Sequence, residues 1–90
     1  MNTLVYNSDN RIKSVDFNDD MIIVNLMDGR IISAPLIFYP RLFNATIEQR
    51  NNWQIAGGGY GIHWKDIDED LSAEGLLMGA PAPLRENIDA

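Results

Sequence analysis

The stretch Met21-Ile22-Ile23-Val24-Asn25-Leu26-Met27-Asp28-Gly29-Arg30-Ile31-Ile32-Ser33-Ala34 decides the fold class. Its first six residues are apolar apart from Asn25 and three of them are β-branched, with Ile22, Val24 and Leu26 on one face and Met21 and Ile23 on the other. Asp28-Gly29 is a strong hairpin signal, because Gly accepts the positive φ that tight turns need, and it is read here as type I′. Arg30 to Ala34 then returns as a strand. Upstream, Ile12 to Phe17 alternates, with Lys13, Val15 and Phe17 on one face and Ile12, Ser14 and Asp16 on the other, and Asn18-Asp19-Asp20 supplies the turn into Met21. Three strands near 12–17, 21–26 and 30–34 make an antiparallel meander. Val15, Phe17, Ile22, Val24, Leu26, Ile32, Ala34 and Leu36 are expected to supply its buried face.

The period of two is lost at Pro35. Leu36 to Asn44 reads as a short helix started or kinked around Pro40, since Pro lacks an N–H and is tolerated in a first turn. Thr46-Ile47-Glu48-Gln49 fits a capping box and predicts a second helix from about Ile47 to Asn52. Trp53-Gln54-Ile55 and Ile62-His63-Trp64 read as short extended runs around the glycine cluster 57–61. Ser72 can cap a last helix through Met78, and Gly79 can stop it. The expected fold is a small α+β domain over residues 1–79, an antiparallel meander packed with short helices from Leu36 onward. Leu4-Val5-Tyr6 either adds a short strand or stays loose, and residues 80–90 are expected to form a mobile tail.

Ninety residues leave room for one domain with a modest core. Apolar residues make up 46%, a globular composition. Cysteine is absent, which excludes disulfides, zinc fingers and thiol catalysis. No apolar run approaches the length of a membrane span, and the start lacks a signal-peptide pattern, so a cytoplasmic protein is expected. The formal net charge of −6 disfavours unaided binding to nucleic acid and is compatible with a basic protein partner.

The chemical motifs fail on detail. The glycine run has no following Lys-Ser or Lys-Thr, and its spacing is not that of a dinucleotide loop. Its plainer reading is a loop of close approach. Asp66, Asp68 and Asp70 have the opening spacing of a calcium loop, but Leu71 and Leu77 stand where Gly and Glu are needed. His63, the single histidine, has no nucleophile beside it. A catalytic or small-molecule site around His63 and Asp66, with Tyr39 and Arg41, is therefore the alternative to protein binding, and no cofactor or metal is expected. The favoured site is a partner-binding face of Tyr39, Arg41, Trp64, Asp66, Asp68 and Glu69, where aromatic anchors and an Arg lie beside a dense acidic run.

One resemblance extends over about residues 10 to 79. Its blocks are Asp28-Gly29-Arg30-Ile31-Ile32, Pro35-Leu36, Tyr39-Pro40-Arg41-Leu42, Ala45-Thr46, Glu48-Gln49-Arg50-Asn51-Asn52-Trp53, Gly61-Ile62-His63-Trp64, Asp66-Ile67-Asp68-Glu69-Asp70 and Gly75-Leu76-Leu77. Together they resemble the bacterial domain-of-unknown-function family 2442. Two positions depart from the family pattern: Ile47 and Lys65 stand where it often has Pro. The resemblance implies a small α+β domain and no established activity. It also implies that some members are encoded beside another small protein in a toxin–antitoxin-like arrangement. Others carry a C-terminal helix-turn-helix, for which this chain is expected to have no room. The functional expectation is an acidic protein-interaction module, the antitoxin-like partner of a small basic protein.

Overall fold

In the computed structural model, which describes residues 7–79, β1 (Ile12–Phe17), β2 (Met21–Leu26) and β3 (Ile31–Pro35) form an antiparallel sheet in that order. Val15 faces Val24 and Phe17 faces Ile22 across β1–β2, and Ile22 faces Ala34 across β2–β3. The expected inward row is the buried row: Val15, Ile22, Val24, Leu26, Ala34 and Leu36 are core, and Phe17 and Ile32 pack against it. Asn18 makes the first turn, its side-chain oxygen accepting from the amides of Asp20 and Met21 at 2.9 and 2.8 Å.

The second turn differs from the type I′ expectation. Gly29 has φ +97°, but Asp28 is not in the left-handed region. The Gly29 amide donates to Leu26 O at 3.1 Å and the Leu26 amide to Arg30 O at 2.9 Å, which closes a three-residue loop. This is a turn followed by a glycine bulge, and it places the positive φ on Gly29 alone. Space is open around Gly29, so only backbone strain opposes a side chain there. Gly29→Val is expected to cost about 1–2 kcal/mol, read as a lowered thermal midpoint. An unchanged midpoint would contradict the turn.

A single 3-10 turn, Leu36–Phe38, leads into α1 (Pro40–Phe43), with Pro40 in its first turn as its missing N–H allows. α2 (Ile47–Asn51) carries the full capping box: Thr46 Oγ1 accepts from the Gln49 amide, and Gln49 Oε1 accepts from the Thr46 amide, each at 3.0 Å. α3 (Ala73–Met78) is capped by Ser72 and stopped by Gly79 at φ 76°.

Between α2 and α3 lies a second antiparallel sheet: β4 (Trp53–Ala56), β5 (Gly61–Trp64) and β6 (Glu69–Ser72). The sequence reading placed a loop where β6 runs. The meander is thus covered by a second sheet as well as by helices, and one core cluster joins Ile62 and Trp64 to the strands of the first sheet. The rings of Phe17 and Trp64 meet edge to face, with centroids 6.5 Å apart. Within the glycine cluster, a Cβ on Gly59 would meet Arg11 Cγ at 3.0 Å, so the close approach there comes from a side chain. Among the described residues, no helix is long and apolar enough to cross a membrane. Leu4-Val5-Tyr6 and the expected tail at 80–90 lie outside the described residues.

Candidate functional site

The β5–β6 turn, residues 65–68, is the centre of the expected face. Register fixes which neighbouring side chains reach solvent. Trp64 pairs with Trp53 and Glu69, and His63 with Gln54 and Asp70. Successive strand residues point to opposite faces, so the Trp64 row turns inward and the His63 row outward.

That alternation divides the six residues. Trp64 is 0% exposed, Tyr39 2% and Glu69 3%. The expectation that these three line the surface is corrected: they lie beneath the face. Trp64 Nε1 donates to Arg50 O at 2.8 Å, which ties β5 to the end of α2. Burial, followed by the nearby Glu69 charge, pushes the Tyr39 hydroxyl above its ordinary pKa.

Arg41, Asp66 and Asp68 remain at the surface. Arg41 is half-committed: its Nη1 donates to Ile67 O at 3.2 Å and Asp68 O at 2.7 Å, with Asp68 Oδ2 at 3.6 Å. It therefore clamps the turn to α1. Asp68 holds φ 51°, a left-handed conformation that Asp and Asn tolerate better than most residues. Asp66 Oδ2 accepts from Asn52 Nδ2 at 2.7 Å, so the turn is joined to the end of α2. Arg50 is committed in a similar way: Nε donates to Leu42 O at 2.8 Å and Nη2 to Phe43 O at 2.9 Å.

The alternative site does not assemble as expected. His63 Nδ1 stands 2.7 Å from Asp70 Oδ1, so its carboxylate partner is Asp70 and not Asp66. Tyr39 is inside, and Arg41 reaches the Ile67 and Asp68 carbonyls and the Asp68 carboxylate, with no hydrogen bond to His63. An antiparallel pairing of residues 61–64 with 69–72 would have revealed the His63–Asp70 couple, but β6 itself was not legible. The three aspartates of the acidic run have separate neighbours: Asn52, Arg41 and His63. Millimolar calcium is accordingly expected to leave the melting midpoint unchanged. A ligand at about 100 times its dissociation constant would add roughly 2.7 kcal/mol, so a clear rise would contradict this.

A hollow beside the turn is lined by Glu48, Gln49, Asn51, Asn52 and Asp66, and it continues the surface onto α2. On the other side of α2, a cleft is lined by Phe17, Asn18, Asp19, Ile47, Arg50 and Asn51. The sequence reading did not include α2 in the face. The link it missed is the Asn52–Asp66 hydrogen bond.

The profile of a family described as "Protein of unknown function (DUF2442)" matches residues 12–82. A protein of unknown function from Rhodospirillum rubrum has a solved structure similar to this one. It is 30% identical, with a TM-score of 0.72 over 88% of this chain and 96% of that chain. An uncharacterised protein from Chromobacterium violaceum is 23% identical, with a TM-score of 0.71 over 88% of this chain and 74% of that one, a likeness of fold. No curated protein matches the chain.

Proposed function

We propose that this chain, which belongs to the DUF2442 family of proteins of unknown function, is a protein-binding module for a small basic protein. One observation carries the reading. At the end of the domain that bears the β5–β6 turn and α2, Glu48, Asp66 and Asp68 are exposed. The two arginines beside them, Arg41 and Arg50, are held by backbone carbonyls, and Arg41 also lies 3.6 Å from the Asp68 carboxylate. Lys65 of the same turn is also exposed, and over the whole chain the balance is negative, with a net charge of −6. Such a surface speeds encounter with a basic partner and disfavours acidic ones. Trp64, Tyr39 and Glu69 support the face from below. The antitoxin-like role belongs to this same reading, with the cytoplasm as its setting.

The test is capture of the product of the neighbouring gene by a protein carrying Asp66→Lys and Asp68→Asn. Asn suits the positive φ at 68, so the variant keeps the turn. Association at low salt is expected to slow about tenfold or more, with folding intact. A folded variant that binds the partner at the unaltered rate and affinity would refute the face.

A further inference from the structure

We infer that the apolar anchor of this contact is the Ile47 cleft between α2 and the β1–β2 turn, and that it takes an aliphatic side chain flanked by Lys or Arg. The inference rests on the protein-binding reading above. Ile47 is 74% exposed, and Phe43, on the other side of the short α1–α2 connection, is 50% exposed. An isolated exposed aliphatic residue is ordinary. Here two large apolar side chains flank one connection, and Phe17 and Ile47 both line the cleft. Ile47 makes no demand on the fold: Thr46 and Gln49 supply the cap of α2, and no residue of α2 is buried.

Charge selects the occupant. Asp19 lines the cleft and Glu48 lines the adjoining hollow, both exposed. The cation in the cleft wall, Arg50, has its Nε and Nη2 held by the Leu42 and Phe43 carbonyls, so two carboxylates stand against one guanidinium. A second copy of this chain is a poor occupant, because an isologous contact would set the Asp19 and Glu48 carboxylates of one copy against those of the other. A segment with an apolar residue between cations satisfies both features. It places the apolar group on Ile47 and Phe17 and the cations over Asp19 and Glu48.

The probe is a short capped peptide with one leucine flanked on each side by lysines, titrated to millimolar concentration against the isotopically labelled protein. The same peptide with glutamates for lysines is the control. Amide shifts centred on residues 17–19 and 47–51 are expected with the lysine peptide alone. The affinity is expected to fall about tenfold in Ile47→Ser, whose melting curve shows that it is folded. The inference is overturned by an absence of shifts, by equal shifts with the glutamate control, by a map centred elsewhere, or by an Ile47→Ser variant that binds unchanged. If the neighbouring gene product is nevertheless captured in a way that depends on Asp66 and Asp68, the protein-binding reading survives and only the anchor is wrong.

Discussion

Trp64→Ala is expected to remove about 3–5 kcal/mol of stability, a large share of the roughly 5–15 kcal/mol that holds a domain together. The side chain is 0% exposed, and its ring meets Phe17 of the first sheet edge to face. Its Nε1 also serves the Arg50 carbonyl at the end of α2. Truncation therefore opens a cavity where the two sheets meet and leaves that carbonyl without its partner. Urea unfolding reads the effect as a lowered midpoint. Trp64→Phe separates the two contributions. It keeps most of the apolar volume, loses the hydrogen bond, and is expected to cost about 1–3 kcal/mol. A Trp64→Ala protein that unfolds at the same urea concentration as the parent would place Trp64 on the surface and contradict the core described above.

Glu69→Lys is expected to destabilise by an amount on the order of 3–5 kcal/mol, although Glu69 belongs to a run of acids that resembles a solvated loop. Glu69 is 3% exposed and pairs with Trp64 across β5–β6. Its Oε1 accepts from the Asp70 amide at 3.1 Å, and its charge contributes to raising the Tyr39 pKa. A lysine there would lose that acceptor and place an ammonium in a poorly solvated position. Glu69→Gln keeps the shape and an acceptor oxygen and is expected to cost about 1 kcal/mol. Asp68→Asn, one residue away and on the surface, is expected to fall within about 0.5 kcal/mol of the parent. Thermal melts of the three variants test the alternation directly. Equal midpoints for Glu69→Lys and Asp68→Asn would show that residue 69 does not point inward.

The first sheet was legible because β2 alternates and the turns have turn chemistry; in β1 a register shift between Ile12 and Ser14 puts Ile12 in the core with Val15, against the strict alternation expected. Ile22, Val24 and Leu26 are apolar at every second position, and Asn18 and Gly29 occupy sites that demand them. The capping box of α2 and the Ser72 and Gly79 caps of α3 were legible for the same local reason. The strand β6 was not. Glu69-Asp70-Leu71-Ser72 has little intrinsic strand preference, and pairing with β5 decides its conformation. The turn type was missed because Asp-Gly fits both a two-residue loop and a three-residue loop with a bulge.

The candidate face was legible in its charge and not in its depth. Burial of Tyr39, Trp64 and Glu69 depends on a second sheet packing over the first, which no local pattern states. One signal was available: Ile62 and Trp64 alternate with Gly61 and His63, and a strand with that pattern points Trp64 inward. The roles of Arg41 and Arg50 are set by contacts to carbonyls distant in sequence or across a helix end, so composition alone could not separate them from partner-binding arginines.

The protein-binding account is tested most directly by amide hydrogen exchange on the complex with the neighbouring gene product, compared with the chain alone. The account predicts slowed exchange at residues 47–52 and 65–68, with the outer row of Gln54, His63 and Asp70 unchanged. Protection confined to the Gln54, His63 and Asp70 row, with α2 and the β5–β6 turn exchanging as in the isolated chain, would contradict it.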